Sequence, residues 1–375
     1  MVQSQHSMAL DGDVRRANVF HAANVRRWQP YGFPYAQAVS LIESMQQGFM
    51  PTRIAASSRS GDAISCIACG STSFQPWPAH QSPDDQPLLV CTCGLGRVRE
   101  MPTADIIAGY YQDDYYRPGG GRRFSGIMER LSTWFKRRRA RRIAAILPAG
   151  RALDVGCERG VFLDELRRFG WQVSGTQLSR PATDSATTEL GLDVRYGELP
   201  SLNFPADSFS LATYFHVLEH LPRPGIYLAE THRLLAEDGL LVVEVPNFEG
   251  LTARLFGRHW FGLDLPRHLY HFGPRSLAML LDTHGFSVVK VSHFSAEYSV
   301  FVVLQTILNA VLPQRDVLAE PIRRSGRAGS RITPTWYVIV IAGLLVIPAL
   351  LWTAVSVACR RGDIMTFHAR KQRRD

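Results

Sequence analysis

The residues best suited to holding a small-molecule cofactor lie at positions 153–160, which read LDVGCERG. An apolar strand ends there at Asp154, the chain turns through glycine, and a helix is predicted from Val161 to Phe169, ended by Gly170. Such a turn exposes backbone N–H groups beside the partly positive N-terminus of the helix, which suits an anionic or zwitterionic cofactor. The segment has neither the third glycine of a nicotinamide site nor the lysine of a P-loop.

Four of the six cysteines form a second group that could do chemistry. The segments CIACG at 66–70 and CTCG at 91–94 are two close cysteine pairs, each followed by glycine, as in a tetrahedral zinc ribbon. Cys66, Cys69, Cys91 and Cys93 are therefore predicted zinc ligands. Four thiolates leave no open position, so we expect a structural or substrate-presenting role. Residues 1–30 are polar and carry several arginines, which predicts no export signal and a reducing cytoplasm.

Strands that alternate with helical segments must position the cofactor turn. After the first helix, strands are predicted at 171–176, 193–196, 210–215 and 240–245, with a helix from Gly225 to Glu237. This alternation predicts an α/β fold with a doubly wound parallel sheet. In such sheets the ligand lies at the carboxyl ends of the strands.

These segments resemble the motifs of class I S-adenosylmethionine (SAM)-dependent methyltransferases, over residues 151–296. LDVGCERG is similar to the first motif of the family, GTQLS to the second-strand motif, HVLEHL to the motif after the fourth strand, and LLVVEVPN to the fifth strand. The segment WFGLDLPRHLYHF at 260–272 resembles a bacterial, methyltransferase-23-like subgroup associated with cell-surface glycan or lipid modification. The resemblance implies a seven-stranded Rossmann-like sheet and SAM as cofactor.

By this resemblance, six residues belong to the SAM site: Asp154, Gly156, Cys157, Gly160, Gln177 and Glu198. The sequence departs from the family at two positions. Glu158 stands where glycine is usual, so its side chain must point outward or the turn must shift. Gln177 replaces the acidic residue that usually accepts hydrogen bonds from the ribose hydroxyls, a loss of charge assistance of roughly 1 kcal/mol. Glu198 is placed near the adenine, or else is a solvent-facing loop charge.

Three residues are predicted at the methyl end of the cofactor. His216, Glu219 and His220 are three and four positions apart and share one helical face. Histidine is the natural base for a hydroxyl acceptor because its pKa is close to neutral. The similar quinone-precursor O-methyltransferases have Glu-x-x-Glu-His there and bind a divalent cation, so a metal remains an alternative. A structural cap beneath the cofactor is a third interpretation of Glu219 and His220.

A second polar group follows in the predicted loop over the carboxyl ends of the strands. Asp264, Arg267, His268 and His271 are four titratable residues among aromatic residues and leucines. We expect His268 to take part in catalysis and the other three to bind substrate.

The net charge of +9 is clustered, and each cluster flanks an apolar segment. One block lies at 136–142, within a predicted helix from Glu129 to Leu147 that also carries Trp134 and Phe135. A second comprises arginines between 323 and 331, and a third lies at 360–361 and 370–374. Basic residues with interfacial aromatics are typical of an anionic membrane surface, and solvated charge runs are the alternative.

Two apolar runs lie between the sixth strand and the end of the chain, at 298–312 and 333–358. Residues 363–371 after them resemble the last antiparallel strand of the methyltransferase sheet. If the chain leaves the sheet near Phe294 and rejoins it at Asp363, a single membrane crossing is impossible. We expect a monotopic or re-entrant helical hairpin at the cytoplasmic face of the inner membrane, with two crossings or a soluble fold as alternatives.

The predicted function is methylation of a hydroxyl or similar nucleophile on a lipid-linked sugar, surface-glycan precursor or lipid. Two rivals stay open. One is an RNA methyltransferase, although binding to nucleic acid would not explain the long apolar insertion. The other is a membrane-attached scaffold without turnover. The predicted organisation is an extension (1–60), a zinc-ribbon-like module (61–100), a linker with a basic helix (101–150), the methyltransferase core (151–296), an apolar insertion (297–360), and a last strand with a basic tail (361–375).

Overall fold

The computed structural model describes residues 64–77, 88–103, 127–320 and 336–372, together with 106, 107 and 109. The predicted N-terminal extension and the arginines at 323–331 lie outside the described residues.

The strands of the described part form two sheets. The larger sheet has seven strands: β4 (Arg151–Val155), β5 (Gln172–Gln177), β6 (Asp193–Tyr196), β7 (Phe209–Phe215), β8 (Leu235–Pro246), β10 (Phe286–Ser292) and β11 (Ile364–Lys371). The smaller sheet has four: β1 (Phe74–Pro76), β2 (Leu88–Cys91), β3 (Gly96–Val98) and β9 (Tyr270–His271).

The helices that cover and connect the sheets are α1 (Ile127–Ala144), α2 (Val161–Arg167), α3 (Arg180–Thr188), α4 (Pro224–Leu234), α5 (Leu251–Phe256), α6 (Pro274–Thr283), α7 (Ser299–Val311) and α8 (Trp336–Ala358).

The large sheet runs in the order β10-β11-β8-β7-β4-β5-β6. The strands from β6 to β8 pair in parallel, with β4 between β5 and β7. The direction of winding reverses at β4, and ligands of such sheets bind in the crevice outside the carboxyl ends at that point. This order confirms the predicted doubly wound, Rossmann-like fold and directs attention to the turns that follow β4, β5 and β7.

The last strand rejoins the sheet, as predicted. β11 lies between β8 and β10 and pairs antiparallel with both, with Met365 opposite Val245 and Phe367 opposite Val291. Its buried positions continue the apolar core of β8. The chain therefore leaves the sheet after β10 and returns about seventy residues later to the strand position beside it.

The segment between β10 and β11 contains the two apolar helices. α8 is long and apolar enough to cross a membrane by length and composition, and 22% of its most apolar window is buried. The buried side carries small residues such as Ala342, Ala349 and Ser356, which allow close packing near α7. The outer side exposes a stripe of large aliphatic residues, namely Val340, Leu344, Ile347, Leu351 and Val355.

Helix α1 begins two residues before and ends three residues before the predicted bounds. Ala140 and Ile143 are buried, whereas Leu131 and Trp134 are exposed. The predicted basic block is divided between two environments. Lys136 and Arg139 reach ion-pair partners in the interior with little exposed surface, while the Arg137 side chain is more than half exposed.

Candidate active site

The turn after β4 has the backbone shape that the sequence predicted. Gly156 and Gly160 both have positive φ, +72° and +73°. A Cβ at Gly156 would lie 2.6 Å from Val217 Cγ2, and one at Gly160 would lie 2.4 Å from Leu192 Cδ1. Each position therefore requires glycine for two reasons, the positive φ angle and the lack of room for a Cβ atom. The result is an open turn at the N-terminus of α2, next to the residues that follow β7.

Asp154 is a buried carboxylate directly before this turn. The Thr213 hydroxyl on β7 donates a hydrogen bond of 2.6 Å to Asp154 Oδ1. Burial raises the pKa of Asp154 to about 7, although the hydrogen bond opposes the rise. A carboxylate in this state favours a nearby cation, since positive charge restores its ionised form. Cys157 beside it is also buried, which raises the pKa of its thiol and makes it a packing residue.

Glu158 adopts the left-handed conformation usually left to glycine, with φ of 51°. A non-glycine residue costs roughly 1–2 kcal/mol in that conformation. Its side chain turns toward α1, where Lys136 Nζ lies 2.8 Å from Glu158 Oε2. This ion pair explains how the turn accommodates a side chain at a position where the family usually has none.

Gln177 ends β5 and uses its side-chain oxygen to hold the next turn. Its Oε1 accepts hydrogen bonds from the backbone N–H groups of Leu178, at 2.6 Å, and Ser179, at 3.2 Å. The side-chain nitrogen of Gln177 takes no part in these two hydrogen bonds, and it is a hydrogen-bond donor. Glu198, after β6, is exposed at the start of the 3₁₀ turn Leu199–Ser201.

His216, directly after β7, lies between two buried carboxylates. Its Nδ1 is 3.4 Å from Glu219 Oε1, and its Nε2 is 3.4 Å from Glu244 Oε1 on β8. Burial by itself would lower the pKa of His216, but the two carboxylates outweigh it and raise the pKa to about 9. The raised pKa favours the protonated form of His216 near neutral pH, and a protonated imidazole is a poor proton acceptor.

His220 and His268 face one another with ring centroids 4.6 Å apart. His220 Nδ1 is 3.0 Å from the Arg267 carbonyl, and His268 Nδ1 is 2.8 Å from the Gly262 carbonyl. A carbonyl only accepts, so each Nδ1 carries the proton and each Nε2 is the acceptor nitrogen. Burial lowers the pKa of both rings, that of His268 to about 3 with the help of His220. Both are neutral near pH 7.

Glu219 completes this group, which we call the histidine centre (Glu219, His220 and His268). One ligand atom from each residue lies within 4.8 Å of the others. Burial would raise the pKa of Glu219, but His216, His220 and His268 outweigh it and the pKa is lowered. Two neutral imidazoles beside an ionised carboxylate can accept a proton or ligate a divalent cation.

The other residues of the predicted substrate loop have different surroundings. Arg267 donates to the carboxylate of Asp264 through Nε, at 3.3 Å, and through a closer terminal nitrogen. His271 is buried, with Nε2 2.9 Å from the Leu263 carbonyl and its ring 5.4 Å from that of Phe248. Asp264 and Arg267 are partly exposed. Of the four predicted residues, His268 joins the centre, Asp264 and Arg267 border it, and His271 supports the loop from behind.

Residues 122–291 match the model of a family described as a methyltransferase domain, Methyltransf_23. This match agrees with the strand order and with the glycine turn after β4. Residues 122–291 form a class I SAM-dependent methyltransferase domain.

Two relatives found by sequence agree with this assignment. A probable SAM-dependent methyltransferase of Mycolicibacterium smegmatis is 26% identical over 175 residues, which are 45% of this chain and 65% of that protein. A ubiquinone biosynthesis O-methyltransferase of Burkholderia orbicola is 27% identical over 160 residues, 39% of this chain and 68% of that one. Among solved structures, a SAM-dependent methyltransferase from Archaeoglobus fulgidus has a TM-score of 0.42 at 19% identity, covering 64% of this chain and 94% of that one.

The methyltransferase domain also contains site residues that the sequence analysis missed. Arg139 on α1 keeps 15% of its side chain exposed and is ion-paired with Glu244, at 2.8 Å, and with Glu297, at 3.1 Å. Glu244 accepts further hydrogen bonds from Ser295 and Thr366. The charged residue inside the otherwise apolar fifth-strand motif, VVEVP, was the available indication that Glu244 has charged partners in the interior. Nothing local distinguished Arg139 from its neighbours in the basic block.

The four predicted cysteine ligands come together beside the methyltransferase domain. Their Sγ atoms all lie within 4.8 Å of one another. Cys66 Sγ is 3.6 Å from Cys93 Sγ, and Cys69 Sγ is 3.5 Å from Cys91 Sγ. A tetrahedral zinc ion with Zn–S bonds of about 2.3 Å separates its sulfurs by roughly 3.8 Å, so the cluster fits zinc with small adjustments. The close contact between Cys66 and Cys93 lowers the pKa of Cys66 and raises that of Cys93, so the pair favours one thiolate that accepts a hydrogen bond from the other thiol.

Proposed function

We propose that the protein transfers the methyl group of SAM to a hydroxyl or similar nucleophile on a lipid-linked sugar, surface-glycan precursor or lipid. The observation that carries this proposal is the position of the histidine centre. Glu219 and His220 follow β7, next to the glycine turn after β4, and His216 beside Glu219 adjoins the start of the apolar segment through Tyr298. One site thus borders both a cofactor turn and the first residues of the apolar segment.

SAM carries an already activated methyl group, so the chain mainly has to align the acceptor and exclude water. Gly156, Cys157 and Gly160 would offer the backbone of the turn to the methionine part of SAM, with buried Asp154 nearby to attract its positive charge. Gln177 would donate its amide hydrogen to a ribose hydroxyl, and Glu198 would lie near the adenine. These assignments extend the family motif to the positions in this chain that match it.

His220 is the base that we favour for the acceptor hydroxyl. It is neutral near pH 7, and its Nδ1–H is fixed by the Arg267 carbonyl, so Nε2 can take the proton. Glu219 would stabilise the imidazolium that forms, while His268 orients the acceptor. His216, held protonated by two carboxylates, would organise the centre rather than move a proton. Asp264 and Arg267 would bind the substrate at the rim, and His271 would hold the loop that carries them.

Membrane attachment is proposed from topology. The ends of the apolar segment join β10 and β11, which are neighbours in one sheet, so both lie on the same side of any bilayer. α7 has 13 residues and would span about 20 Å, too short to cross a hydrocarbon core of about 30 Å. We therefore favour a monotopic hairpin at the cytoplasmic face of the inner membrane, with the exposed stripe of α8 among the lipid chains. The basic residues around it would face anionic head groups.

The cysteine cluster is proposed to hold one structural zinc ion. Cys66, Cys69, Cys91 and Cys93 would saturate a tetrahedral ion, leaving no position for catalysis. The strands β1–β3 have three or four residues each, and a module of that size depends on a metal for its stability.

A divalent cation at the histidine centre is the second candidate. Glu219, His220 and His268 converge, and each histidine donates its Nδ1–H to a carbonyl, as metal-ligating histidines commonly do. A relative of this chain is named a ubiquinone biosynthesis O-methyltransferase, and that name agrees with the oxygen acceptor proposed here. Dependence of methyl transfer on an added divalent cation, abolished in His268→Ala, would favour this candidate over the metal-free base.

The deciding experiment is transfer of labelled methyl from SAM into total membrane lipid and polysaccharide. His220→Ala should lower turnover at least about a hundredfold, in the range of a lost general base, while SAM affinity stays within a few-fold. The matched control is His284→Ala, because His284 is half-buried in the turn before β10, an edge strand of the large sheet. Full turnover by His220→Ala would refute the base assignment. Undetectable SAM binding by the zinc-loaded wild type would instead favour the scaffold without turnover.

A further inference from the structure

The strand that carries His271 belongs to the sheet of the cysteine module. β9 (Tyr270–His271) lies in the substrate loop of the methyltransferase domain, yet it pairs with β3 as the fourth strand of the small sheet. Gly96 lies opposite His271, and Arg97 lies opposite Tyr270. The module is therefore joined to the loop by backbone hydrogen bonds, which connect their positions more rigidly than side-chain contacts.

A short chain of backbone hydrogen bonds leads from the cysteines to the histidine centre. The cysteine turn at residues 91–94, here called the knuckle, is closed by a hydrogen bond of 2.8 Å from the Gly94 N–H to the Cys91 carbonyl. Four residues further on, the Val98 N–H donates to the Leu269 carbonyl at 3.0 Å. The Leu269 N–H in turn donates to the Glu219 carbonyl at 2.8 Å. The residue before Leu269 is His268, so the path passes through both halves of the centre.

The contact surface between module and loop is also tightly packed. A Cβ on Gly96 would lie 3.0 Å from His271 Cβ and 3.2 Å from Phe248 Cε1. Cys66 and Cys93 belong to the same buried apolar cluster as Leu269, Tyr270 and Phe272. A change in the shape of the knuckle therefore cannot be absorbed by empty space at this boundary.

We propose that the metal-loaded cysteine module is a clamp that positions the substrate loop, residues 262–272, against Glu219 and His220. Occupancy of the metal site would then control the acceptor side of the active site. The cofactor turn follows β4, whose partners are β5 and β7 in the other sheet, so SAM binding is insulated from the clamp. The clamp rests on the zinc binding proposed above but needs no knowledge of the acceptor.

The test is hydrogen exchange on the full-length protein, loaded with zinc, stripped by a chelator in the presence of a thiol reductant, and reloaded with zinc. Amides of residues 216–221 and 262–272 should exchange at least about tenfold faster without zinc and recover on reloading, because local opening sets the exchange rate. Amides of residues 151–160 should change little. SAM affinity, measured in parallel, should stay within about threefold.

Two variants separate the metal from the route by which it acts. Cys66→Ser should lose zinc and reproduce the stripped state. Gly96→Ala keeps all four cysteines but places a methyl group against His271, so it should retain one zinc per chain while the loop exchanges faster. Ser73→Ala, an exposed position in the same module, is the control and should match the wild type.

The possible outcomes distinguish two claims, the zinc site and the clamp. Failure of the full chain to bind zinc would overturn the zinc site and the clamp together. Zinc binding with no effect of its removal on the loop would overturn the clamp alone. Gly96→Ala with wild-type exchange in the loop would show that β3 and β9 are not the connection, which also overturns the clamp as stated.

Discussion

The ring of Tyr298 lies 4.3 Å from the ring of His216, edge to face. Tyr298 is the residue that precedes α7, the first helix of the apolar segment, and His216 directly follows β7. The neighbouring Glu297 pairs with Arg139, and Ser295 donates to Glu244. The start of the apolar segment is therefore part of the wall of the site, and the position of one affects the other.

The glycine turn gives a sharp prediction for SAM binding. Gly156→Ala places Cβ 2.6 Å from Val217 at a φ of +72°, so SAM affinity should fall at least about tenfold from strain of roughly 1–2 kcal/mol plus the clash. The control is Gly191→Ala, where φ is +60° but nothing lies within 4 Å. It should lose stability from backbone strain alone and bind SAM as the wild type does. Isothermal titration and urea unfolding measure the two quantities, and equal SAM affinities for the two variants would contradict the steric argument.

The buried charges around Glu244 predict a large effect on stability. Glu244→Gln keeps the shape but leaves Arg139 and His216 short of negative charge, so the free energy of unfolding should fall by about 3 kcal/mol. The pKa of His216 should fall as well, visible by NMR titration of the ring. Glu237→Gln, exposed on the same strand, should change neither quantity. An unchanged His216 pKa in Glu244→Gln would show that this carboxylate does not hold the charge.

The raised pKa of His216 predicts that the stability of the folded protein depends on pH. The ordinary value is 6.5 and the folded value is about 9, so the folded state binds the proton more tightly than the unfolded chain. The stabilisation is fully present below pH 6.5 and is lost as the pH rises through 9. Urea unfolding between pH 6.5 and 9 should show a decline in the wild type that is smaller in His216→Gln. Parallel curves for the two proteins would disprove the linkage.

The exposed stripe of α8 predicts vesicle binding. Leu351→Glu replaces a leucine that is 64% exposed with a charge, and co-sedimentation with anionic phospholipid vesicles should fall at least about tenfold, since a carboxylate is costly to transfer into lipid. Val289→Glu on β10 changes a residue of similar exposure, 58%, outside the apolar helices and should bind vesicles normally. If both variants bind vesicles equally, a soluble fold would be favoured over membrane attachment through α8.

Local patterns determined a large part of this protein. The strand, glycine turn and helix at 151–167 follow from residues that are close in sequence, and so does each of the cysteine pairs Cys66–Cys69 and Cys91–Cys93, because a knuckle is a local structure. The alternation of strands and helices could also be predicted from the sequence, since hydrophobic periodicity is a local property. The return of the last strand was predicted from the resemblance of residues 363–371 to the last strand of the methyltransferase sheet, and the pairing of β11 with β8 and β10 confirms it.

Only the tertiary structure decided which charges meet. Arg139 and Glu244 are 105 residues apart, and the sequence around Arg139 offers several equivalent arginines. Glu219 and Glu244 together raise the pKa of His216 and favour its protonated form, because a pKa depends on neighbours in space. The pairing of β3 with β9 was hidden for the same reason: a two-residue strand has no periodicity, and its partner is chosen by the packing of the whole loop.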